Sequence, residues 1–290
     1  MQKTILVIGA TGMLGEPVAR RLKEDGFRAR VMTRDRDKAQ ELFGESFEIV
    51  VGDVMDTNSL GKSLDGCFGV HISLSPPEIE RVAVENILSL APKYGIKRIT
   101  YVSADNVSEE YVELFPPFRQ KLLAERAIRE SGIPYTIFCP TASMESLSMF
   151  VEGGKAGILG KQPHPYHWLA GEDLGRVVSA AFKLEEAVNK RFFIYGPEGI
   201  RTHEALKRYC SVFYPEIKKI STMPYWLVNL IATITRNNEM KFGVKLLAFC
   251  EKTGECGDPT AANSVLGAPK TTLDEWLTQR KAKVDESSTG

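Results

Sequence analysis

The sequence predicts an α/β protein built on a doubly wound parallel sheet, followed by a smaller and mostly helical C-terminal lobe. Three features support this. Short β-branched runs alternate with segments of helical period up to about residue 140, a glycine-rich turn joins the first run to the first helical segment, and the alternation stops after Pro140. Such alternation is typical of βαβ units on a parallel sheet.

The predicted strands are short and rich in β-branched or aromatic residues. They cover residues 5–8, 30–32, 49–51, 69–72, 99–102 and 135–138, and 192–195 indicates a later return to the sheet. The helical segments between them each show one apolar face. The first face is predicted from Leu14, Val18 and Leu22, and a later one from Ile79, Val82, Ile87 and Leu90.

Composition limits the classes of function. The 37 basic residues balance the 37 acidic ones, so no nucleic-acid partner is expected, because phosphate binding usually leaves a basic excess. Five scattered cysteines without metal-type spacing predict reduced thiols and no metal site. A strand pattern begins at the N-terminus, and no apolar run approaches the roughly 20 residues that span a bilayer. We therefore expect a cytoplasmic protein without an integral membrane segment.

The glycine-rich turn reads Gly9-Ala10-Thr11-Gly12-Met13-Leu14-Gly15. Glycines at these spacings let the backbone turn tightly and approach a pyrophosphate at the start of the following helix. Three glycines in seven residues also occur in structural turns, but the strand before and the helix after favour a dinucleotide site. The predicted fold is therefore the Rossmann fold, with this whole turn in contact with the cofactor.

The end of the second strand distinguishes the two nicotinamide cofactors. An acidic residue there usually binds the adenosine ribose, whereas an arginine accommodates a 2′-phosphate. Here the strand runs into Arg34, and Lys38 follows closely. Charge-assisted hydrogen bonds from these cations favour NADP(H) over NAD(H). Two alternatives stay open: the charges are simply solvated, or Asp35 binds an NAD ribose.

On these residues the chain resembles the atypical short-chain dehydrogenase/reductases of the NmrA-like type, which include isoflavone-reductase-like and quinone-reductase-like enzymes. The likeness covers most of the chain. Besides the glycine turn and Arg34, it rests on Gly52-Asp53-Val54, Tyr101-Val102-Ser103-Ala104, Lys121 with Glu125, residues 131–137, Pro140, Met144-Glu145 and Gly171-Glu172-Asp173-Leu174-Gly175.

The resemblance implies further contacts with the cofactor, all at positions that follow strand ends, where ligands bind in open parallel sheets. It implies that Asp53 and Val54 lie beside the adenine, that Ser73, Leu74 and Ser75 pass the bridging phosphates or ribose, that Lys121 reaches the nicotinamide ribose, and that Pro140 and Thr141 frame the nicotinamide.

The sequence departs from the wider superfamily at the catalytic position. Ordinary members carry a tyrosine four residues before the lysine as general acid, and Pro117 stands there instead. Lys121 then holds the ribose or is a surface charge. Ser103 occupies the place of a catalytic serine, although a serine that ends a strand also often caps a turn.

The predicted domains follow from these assignments. A dinucleotide-binding domain covers 1–144 with 172–198 returning to it, a substrate lobe covers 145–171 and 199–282, and 283–290 has the composition of a disordered tail. Thr272 and Glu275 have capping-box spacing, which predicts the start of a final helix.

The substrate lobe contains two features that bear on function. His164 and His167 flank Tyr166 without a nearby Cys or carboxylate in the sequence, so we expect loop packing or a substrate contact there, not a metal site. The apolar run 226–232 predicts a buried or pocket-lining helix, with contact to a membrane or a partner as the alternative.

Two classes of function remain. The first is an NADPH-dependent reductase that transfers hydride to a quinone-like or conjugated small molecule without the usual tyrosine. The second is a non-catalytic NADP sensor that signals to a protein partner. Epimerisation of a sugar nucleotide is weaker, since it too normally depends on the missing tyrosine.

Overall fold

The computed structural model describes residues 2–75 and 77–288, and the chain divides into two compact units. The first unit comprises Met1–Pro140, Gly171–Ile194 and Asp258–Ala268, and the second comprises Thr141–Ala170, Tyr195–Gly257 and Pro269–Gly290. The sequence-based domains differ at 258–268, which they assigned to the substrate lobe. This segment joins the first unit because the Arg176 guanidinium donates to the carbonyls of Leu266, Gly267 and Ala268 at 2.8–2.9 Å.

A seven-stranded parallel sheet forms the centre of the first unit. Its strands are β1 (Thr4–Ile8), β2 (Arg28–Thr33), β3 (Glu48–Val51), β4 (Gly69–Ile72), β5 (Arg98–Val102), β6 (Tyr135–Pro140) and β10 (Lys190–Ile194). Their order is β10-β6-β5-β4-β1-β2-β3, with all pairs parallel. This arrangement confirms the predicted Rossmann architecture. The four residues of β1 from Ile5 to Ile8 are almost fully buried, as expected for a strand covered on both faces.

Helices flank this sheet. They are α1 (Gly15–Glu24), α2 (Arg36–Phe43), α3 (Thr57–Leu64), α4 (Glu80–Leu90), α5 (Glu109–Leu114), α6 (Arg119–Glu130), α7 (Gly171–Ala181) and α11 (Thr260–Leu266). Helix α1 buries Val18 and Leu22 as predicted. It packs closely on α7, where a Cβ at Gly175 would lie 2.7 Å from the Pro17 carbonyl oxygen. The glycine thus permits the two helix backbones to approach.

The predicted apolar face of α4 was wrong in part. Val82 is 42% exposed. The buried side of the helix is shifted and contains Glu80, Ala83, Val84 and Ile87. The charged Glu80 is therefore buried where the apolar pattern predicted no charge. Its ion pair with Lys121 explains why this burial is tolerated.

The second unit contains two small sheets that the sequence did not predict. One has the order β12-β8-β7 and the other pairs β11 with β9. Their strands are β7 (Val151–Glu152), β8 (Lys155–Leu159), β9 (Pro165–His167), β11 (Gly199–Arg201) and β12 (Ile220–Met223). Strands β8, β9 and β11 contain a glycine or a proline, which are typical of loops, so their sequences indicated loops and not strands. The helices are α8 (Thr202–Phe213), α9 (Tyr225–Ile234), α10 (Asn238–Thr253) and α12 (Leu273–Ser288).

The start of α12 confirms the predicted capping box. The Glu275 carboxylate accepts from the Thr272 amide at 2.9 Å, and the Thr272 hydroxyl accepts from the Glu275 amide at 3.3 Å. The helix then continues to Ser288, whereas 283–290 was predicted to be disordered. Lys and Glu favour propagation once a helix is nucleated, so a polar composition alone did not end it. Residues 289 and 290 lie outside the described residues.

Helix α9 corrects the prediction for the apolar run 226–232. It was expected to be buried, yet only Val228 and Ala232 are buried within the helix. Trp226 is 68% exposed and Ile234 72% exposed. The helix packs along α10 through its narrow buried stripe, which leaves most of its surface open. Within the described part of the chain, every helix is too short or too polar to cross a lipid bilayer.

Candidate functional site

The glycine turn between β1 and α1 has three positions with different physical roles. Gly9 has φ +79°, and a Cβ there would lie 1.8 Å from the Ser73 carbonyl oxygen. A Cβ at Gly15 would lie 2.1 Å from the Gly9 carbonyl oxygen. Gly12 is exposed, and its Cβ would meet only the Gly9 oxygen at 3.2 Å. Gly9 and Gly15 are thus required by packing, while Gly12 keeps the outer side of the turn clear.

The start of α1 lies directly behind this turn. Leu14 occupies the N-cap position, and the helix has no side-chain hydrogen bond at its cap. The Gly12 amide donates to the Gly9 carbonyl at 3.0 Å, which fixes the turn itself. Amides of a helix's first turn generally have no partner within the helix, and the helix dipole adds partial positive charge there. Of these amides in α1, that of Glu16 donates to the Gly12 carbonyl at 3.1 Å. With Thr11 half-buried and Met13 exposed beside it, this backbone fits the diphosphate of a dinucleotide.

The end of β2 presents exposed cations. Arg34 and Lys38 are exposed, and neither side chain forms a hydrogen bond or ion pair within residues 2–75 and 77–288. Asp35, in contrast, caps α2: its carboxylate accepts from the Lys38 amide at 3.0 Å. One carboxylate oxygen of Asp35 is therefore already engaged, whereas both cations are available to an anion.

The residues that follow β3 and β4 lie at the same carboxyl edge of the sheet. The Asp53 carboxylate accepts from the Met55 amide at 2.9 Å, which orders the loop. Val54 is buried, and its carbonyl accepts from the Asn86 side chain at 2.9 Å. After β4, the Ser73 backbone packs on Gly9, while Leu74 is half-buried and Ser75 exposed. The parallel sheet thus brings these predicted residues to the edge that carries the glycine turn.

Lys121 lies in a buried cluster that sequence reasoning missed. Its Nζ is 2.8 Å from Oε1 of Glu80 and 3.4 Å from the Val102 carbonyl oxygen. The Tyr101 hydroxyl donates a short hydrogen bond to the same carboxylate. Glu80 and Tyr101 are fully buried, and Lys121 is 9% exposed. The structure therefore joins the predicted lysine to Glu80 at the start of α4 and to Tyr101 on β5.

The electrostatics of this cluster follow from its burial. Burial raises the pKa of Glu80, and the Lys121 ammonium opposes that rise. Burial and the neighbouring Glu80 carboxylate raise the pKa of Tyr101 well above its ordinary value, so the phenol stays protonated at neutral pH. Lys121 is consequently held by a carboxylate inside the fold, and it is not a surface charge.

Ser103 belongs to a second buried cluster. Its hydroxyl donates to Oε1 of Glu125 at 2.5 Å, and Ser103 is 4% exposed. The other carboxylate oxygen of Glu125 pairs with Arg129 at 2.8 Å and Arg191 at 3.0 Å. A hydroxyl has only one hydrogen to donate. A catalytic role for Ser103 as a hydrogen donor would therefore require its hydroxyl to leave Glu125. The sequence analysis had matched Glu125 only as part of the family pattern.

Three predicted positions remain, and two of them lie at the end of β6. Pro140 is the last residue of β6, and Thr141 begins the second unit. The Thr141 hydroxyl donates a short hydrogen bond to Glu255. Pro117 lies in a 3-10 turn before α6 and has no group that could donate a proton. Pro117, four residues before Lys121, therefore cannot act as a general acid.

Comparison with known proteins places the chain among relatives of several kinds. The photosystem II assembly factor Ycf39 of Trieres chinensis is 23% identical over 246 residues, covering 80% of this chain and 75% of that protein. A (4-alkanoyl-5-oxo-2,5-dihydrofuran-3-yl)methyl phosphate reductase of Streptomyces griseus is 29% identical over 206 residues, covering 69% and 70%. These two relatives thus include both an assembly factor and a reductase.

A solved structure and a family pattern complete the comparison. The NADPH-dependent quinone oxidoreductase QOR2 of Escherichia coli, complexed with NADPH, has a TM-score of 0.75 and 18% identity, and the match covers 95% of this chain and 99% of that one. This likeness shows the shared fold. The sequence model of the NmrA-like family matches residues 1–277. The chain therefore belongs to the NmrA-like family, as its motifs predicted.

Proposed function

We propose that this protein is an NADP(H)-dependent reductase that transfers a hydride to a quinone-like or otherwise conjugated small molecule. The observation that carries the proposal is the start of α1, which has no side-chain cap and follows a turn whose exposed glycine leaves room for a diphosphate. The similar reductase and quinone oxidoreductase support the same class of activity.

Each part of the cofactor has a proposed partner. The diphosphate binds at Gly12 and the first amides of α1, and the 2′-phosphate binds Arg34 and Lys38, the exposed cations after β2. The engagement of Asp35 as a helix cap favours this phosphate over a bare ribose. The other contacts are proposed for Asp53 and Val54 with the adenine, Ser73, Leu74 and Ser75 with the bridging phosphates or ribose, Lys121 with the nicotinamide ribose, and Pro140 and Thr141 with the nicotinamide.

The chemistry required of the chain is mainly binding and orientation. When bound, the nicotinamide supplies the hydride, and the protein positions the acceptor against it. A conjugated acceptor disperses the incoming negative charge, so it depends less on a strong acid than a simple ketone does. Glu80 holds Lys121 in place for the ribose. Binding of the ribose by Lys121 does not need a tyrosine at position 117, where this chain has a proline.

Binding and turnover test the proposal separately. Purified protein is titrated with NADPH and NADH while intrinsic fluorescence is recorded, and NADPH oxidation is then followed with a panel of quinones, enones and simple carbonyl compounds. We expect saturable binding that favours NADPH, and turnover with the conjugated acceptors. Absence of saturable binding to either nucleotide would contradict the proposed cofactor site and with it the whole proposal. Binding without turnover on the panel would contradict the reductase activity alone.

A second candidate function is a nucleotide-responsive binding module, favoured by the exposed apolar surface of α9. Trp226, Leu230, Ile231 and Ile234 are between 41% and 72% exposed there, as is typical of an interaction surface. The similarity to an assembly factor agrees with this alternative. A sensor must bind the oxidised and reduced cofactor with different affinity, because coupling between two sites is reciprocal. Equal affinity for NADPH and NADP⁺ would exclude it.

A further inference from the structure

A carboxylate–histidine pair lies in the second unit, outside the proposed set of cofactor residues. His167 ends β9, and Glu255 follows α10. Nδ1 of the His167 ring is 2.7 Å from Oε2 of Glu255, and the His167 amide donates to Oε1 of Glu255 at 2.6 Å. The Thr141 hydroxyl donates to the same carboxylate. Three donors therefore fix the Glu255 side chain.

The contact with Glu255 assigns the two ring nitrogens of His167. An ionised carboxylate can only accept, so Nδ1 carries a hydrogen and donates it. Nε2 is then the atom that gains or loses the exchangeable proton, the arrangement that a carboxylate imposes on a general acid–base histidine. The ring is further oriented by Tyr195, which stacks on it with centroids 5.7 Å apart and planes 18° apart.

The exposure of the pair is asymmetric. The His167 side chain is 41% exposed, whereas the Glu255 side chain is 12% exposed. The orienting carboxylate is thus mostly withdrawn from solvent, while the imidazole can be reached by a small molecule. Two titratable groups, Glu255 and Tyr195, contact the ring.

Three residues at or beside the expected catalytic positions are poor proton donors. Pro117 has no acidic hydrogen, Tyr101 is fully buried, and the Ser103 hydroxyl donates to Glu125. Thr141, which holds Glu255, is bonded directly to Pro140 in the chain, and both residues belong to the proposed nicotinamide contacts. Chain continuity therefore links the pair to the end of β6.

We propose that His167 is the proton donor for acceptors whose reduction needs a proton, such as quinones and enones, and that Glu255 is its positioning residue. This rests on the proposed reductase function. The acceptor takes up a hydride, which carries two electrons, and one proton. The Nε2–H bond of the imidazolium breaks, an O–H bond forms on the reduced acceptor, and the neutral ring regains a proton from water.

The test compares two acceptors, a quinone and a cationic triarylmethane dye, whose reductions differ in their need for a proton. Hydride addition to a quinone creates an anion that must be protonated, whereas addition to a cationic triarylmethane dye gives a neutral product directly. His167→Asn is the informative variant, since its amide nitrogen can still donate to Glu255 while the titrating ring is lost. Glu255→Gln tests the positioning role, and His203→Asn, an exposed histidine of α8, is the matched control.

We expect His167→Asn to lower quinone turnover by about 10²-fold, the lower end of what general acid catalysis contributes. Dye turnover should stay within twofold, Glu255→Gln should lower quinone turnover less, and His203→Asn should change neither. Equal losses with both acceptors, or no loss with either, would overturn the role of His167 and leave the reductase proposal intact. A wild-type protein that reduces the dye but no quinone would also overturn the role of His167 as proton donor. If the wild type reduces neither acceptor, the reductase function itself is wrong, and the proton donor with it.

A spectroscopic readout tests the pair without turnover. Proton–nitrogen NMR spectra at alkaline pH distinguish the two tautomers of a neutral imidazole, and the resonance missing from His167→Asn identifies His167. We expect the Nδ1–H tautomer in the wild type and a shift toward Nε2–H in Glu255→Gln. A wild-type ring that is predominantly the Nε2–H tautomer would contradict the geometry on which the proposal depends.

Discussion

Glu80 provides the sharpest test of the buried cluster around Lys121. Glu80→Ala would leave the Lys121 ammonium, 9% exposed, without its carboxylate and the Tyr101 hydroxyl without its acceptor. Removing one partner of a buried ion pair costs about 3–5 kcal/mol, because the remaining charge is uncompensated. An unsatisfied hydroxyl costs about 1–3 kcal/mol more, although the two losses overlap. We expect a loss of about 4 kcal/mol in the free energy of unfolding.

Urea unfolding of the cofactor-free protein, followed by circular dichroism, measures this loss. Glu78→Ala is the matched control, because Glu78 is exposed two residues earlier and its removal should change stability by less than about 0.5 kcal/mol. Glu80→Gln keeps an acceptor for Tyr101 but lacks the charge, so it should fall between the two. If Glu80→Ala is no more destabilising than Glu78→Ala, the ion pair does not stabilise the fold and the reasoning fails.

Replacing the lysine of this ion pair should make the loss of stability depend on pH. Burial raises the pKa of Glu80, and Lys121 is the main group opposing that rise. In Lys121→Met the folded-state pKa of Glu80 should rise further above its unfolded value. The stability that comes from the protonated carboxyl is then present at low pH and lost as pH increases. The destabilisation by Lys121→Met should therefore be smaller near pH 5 than near pH 8, and an equal loss at both would contradict this.

Three further predictions concern the cofactor edge and the sheet. Gly12→Ala should fold normally, because its Cβ meets one oxygen at 3.2 Å, but should weaken NADPH binding at least about tenfold by calorimetry. Arg34→Ala should lower NADPH affinity by about tenfold or more and leave NADH affinity within twofold; equal losses would refute the 2′-phosphate contact. Burial lowers the pKa of His71 to about 3 from 6.5, so the unfolded chain binds a proton that the folded protein excludes, and stability should fall as pH drops through that range. His71→Gln should flatten this part of the stability curve and His203→Gln should not.

The sheet and the glycine turn could be predicted because their signals are local. A strand such as β4 is a short apolar run, and its predicted bounds, 69–72, coincide with those observed. The turn from Gly9 needs a positive φ and a close backbone contact, and few residues other than glycine satisfy both. These requirements are written within ten residues of sequence, so one sequence is sufficient to recognise them.

The buried carboxylates could not be predicted because their partners are distant in the chain. Glu80 pairs with Lys121 across 41 residues, and the predicted apolar face of α4 did not include Glu80. Glu255 meets His167 across 88 residues, so the histidine seemed to lack a carboxylate partner. A glutamate at the start of a helix usually interacts favourably with the helix dipole. The neighbouring sequence therefore does not indicate that Glu80 is buried.

The two buried clusters of the first unit engage the lysine and the serine that the sequence matched to the family pattern. Lys121 is held by Glu80, and Ser103 gives its single hydrogen to Glu125. Pro117 stands four residues before Lys121, and Ser103 is engaged by a carboxylate that two arginines hold in place. The Ser103 hydroxyl is thus engaged within the first unit, and the acid that we propose is the exposed imidazole of His167 in the second unit, which Glu255 orients.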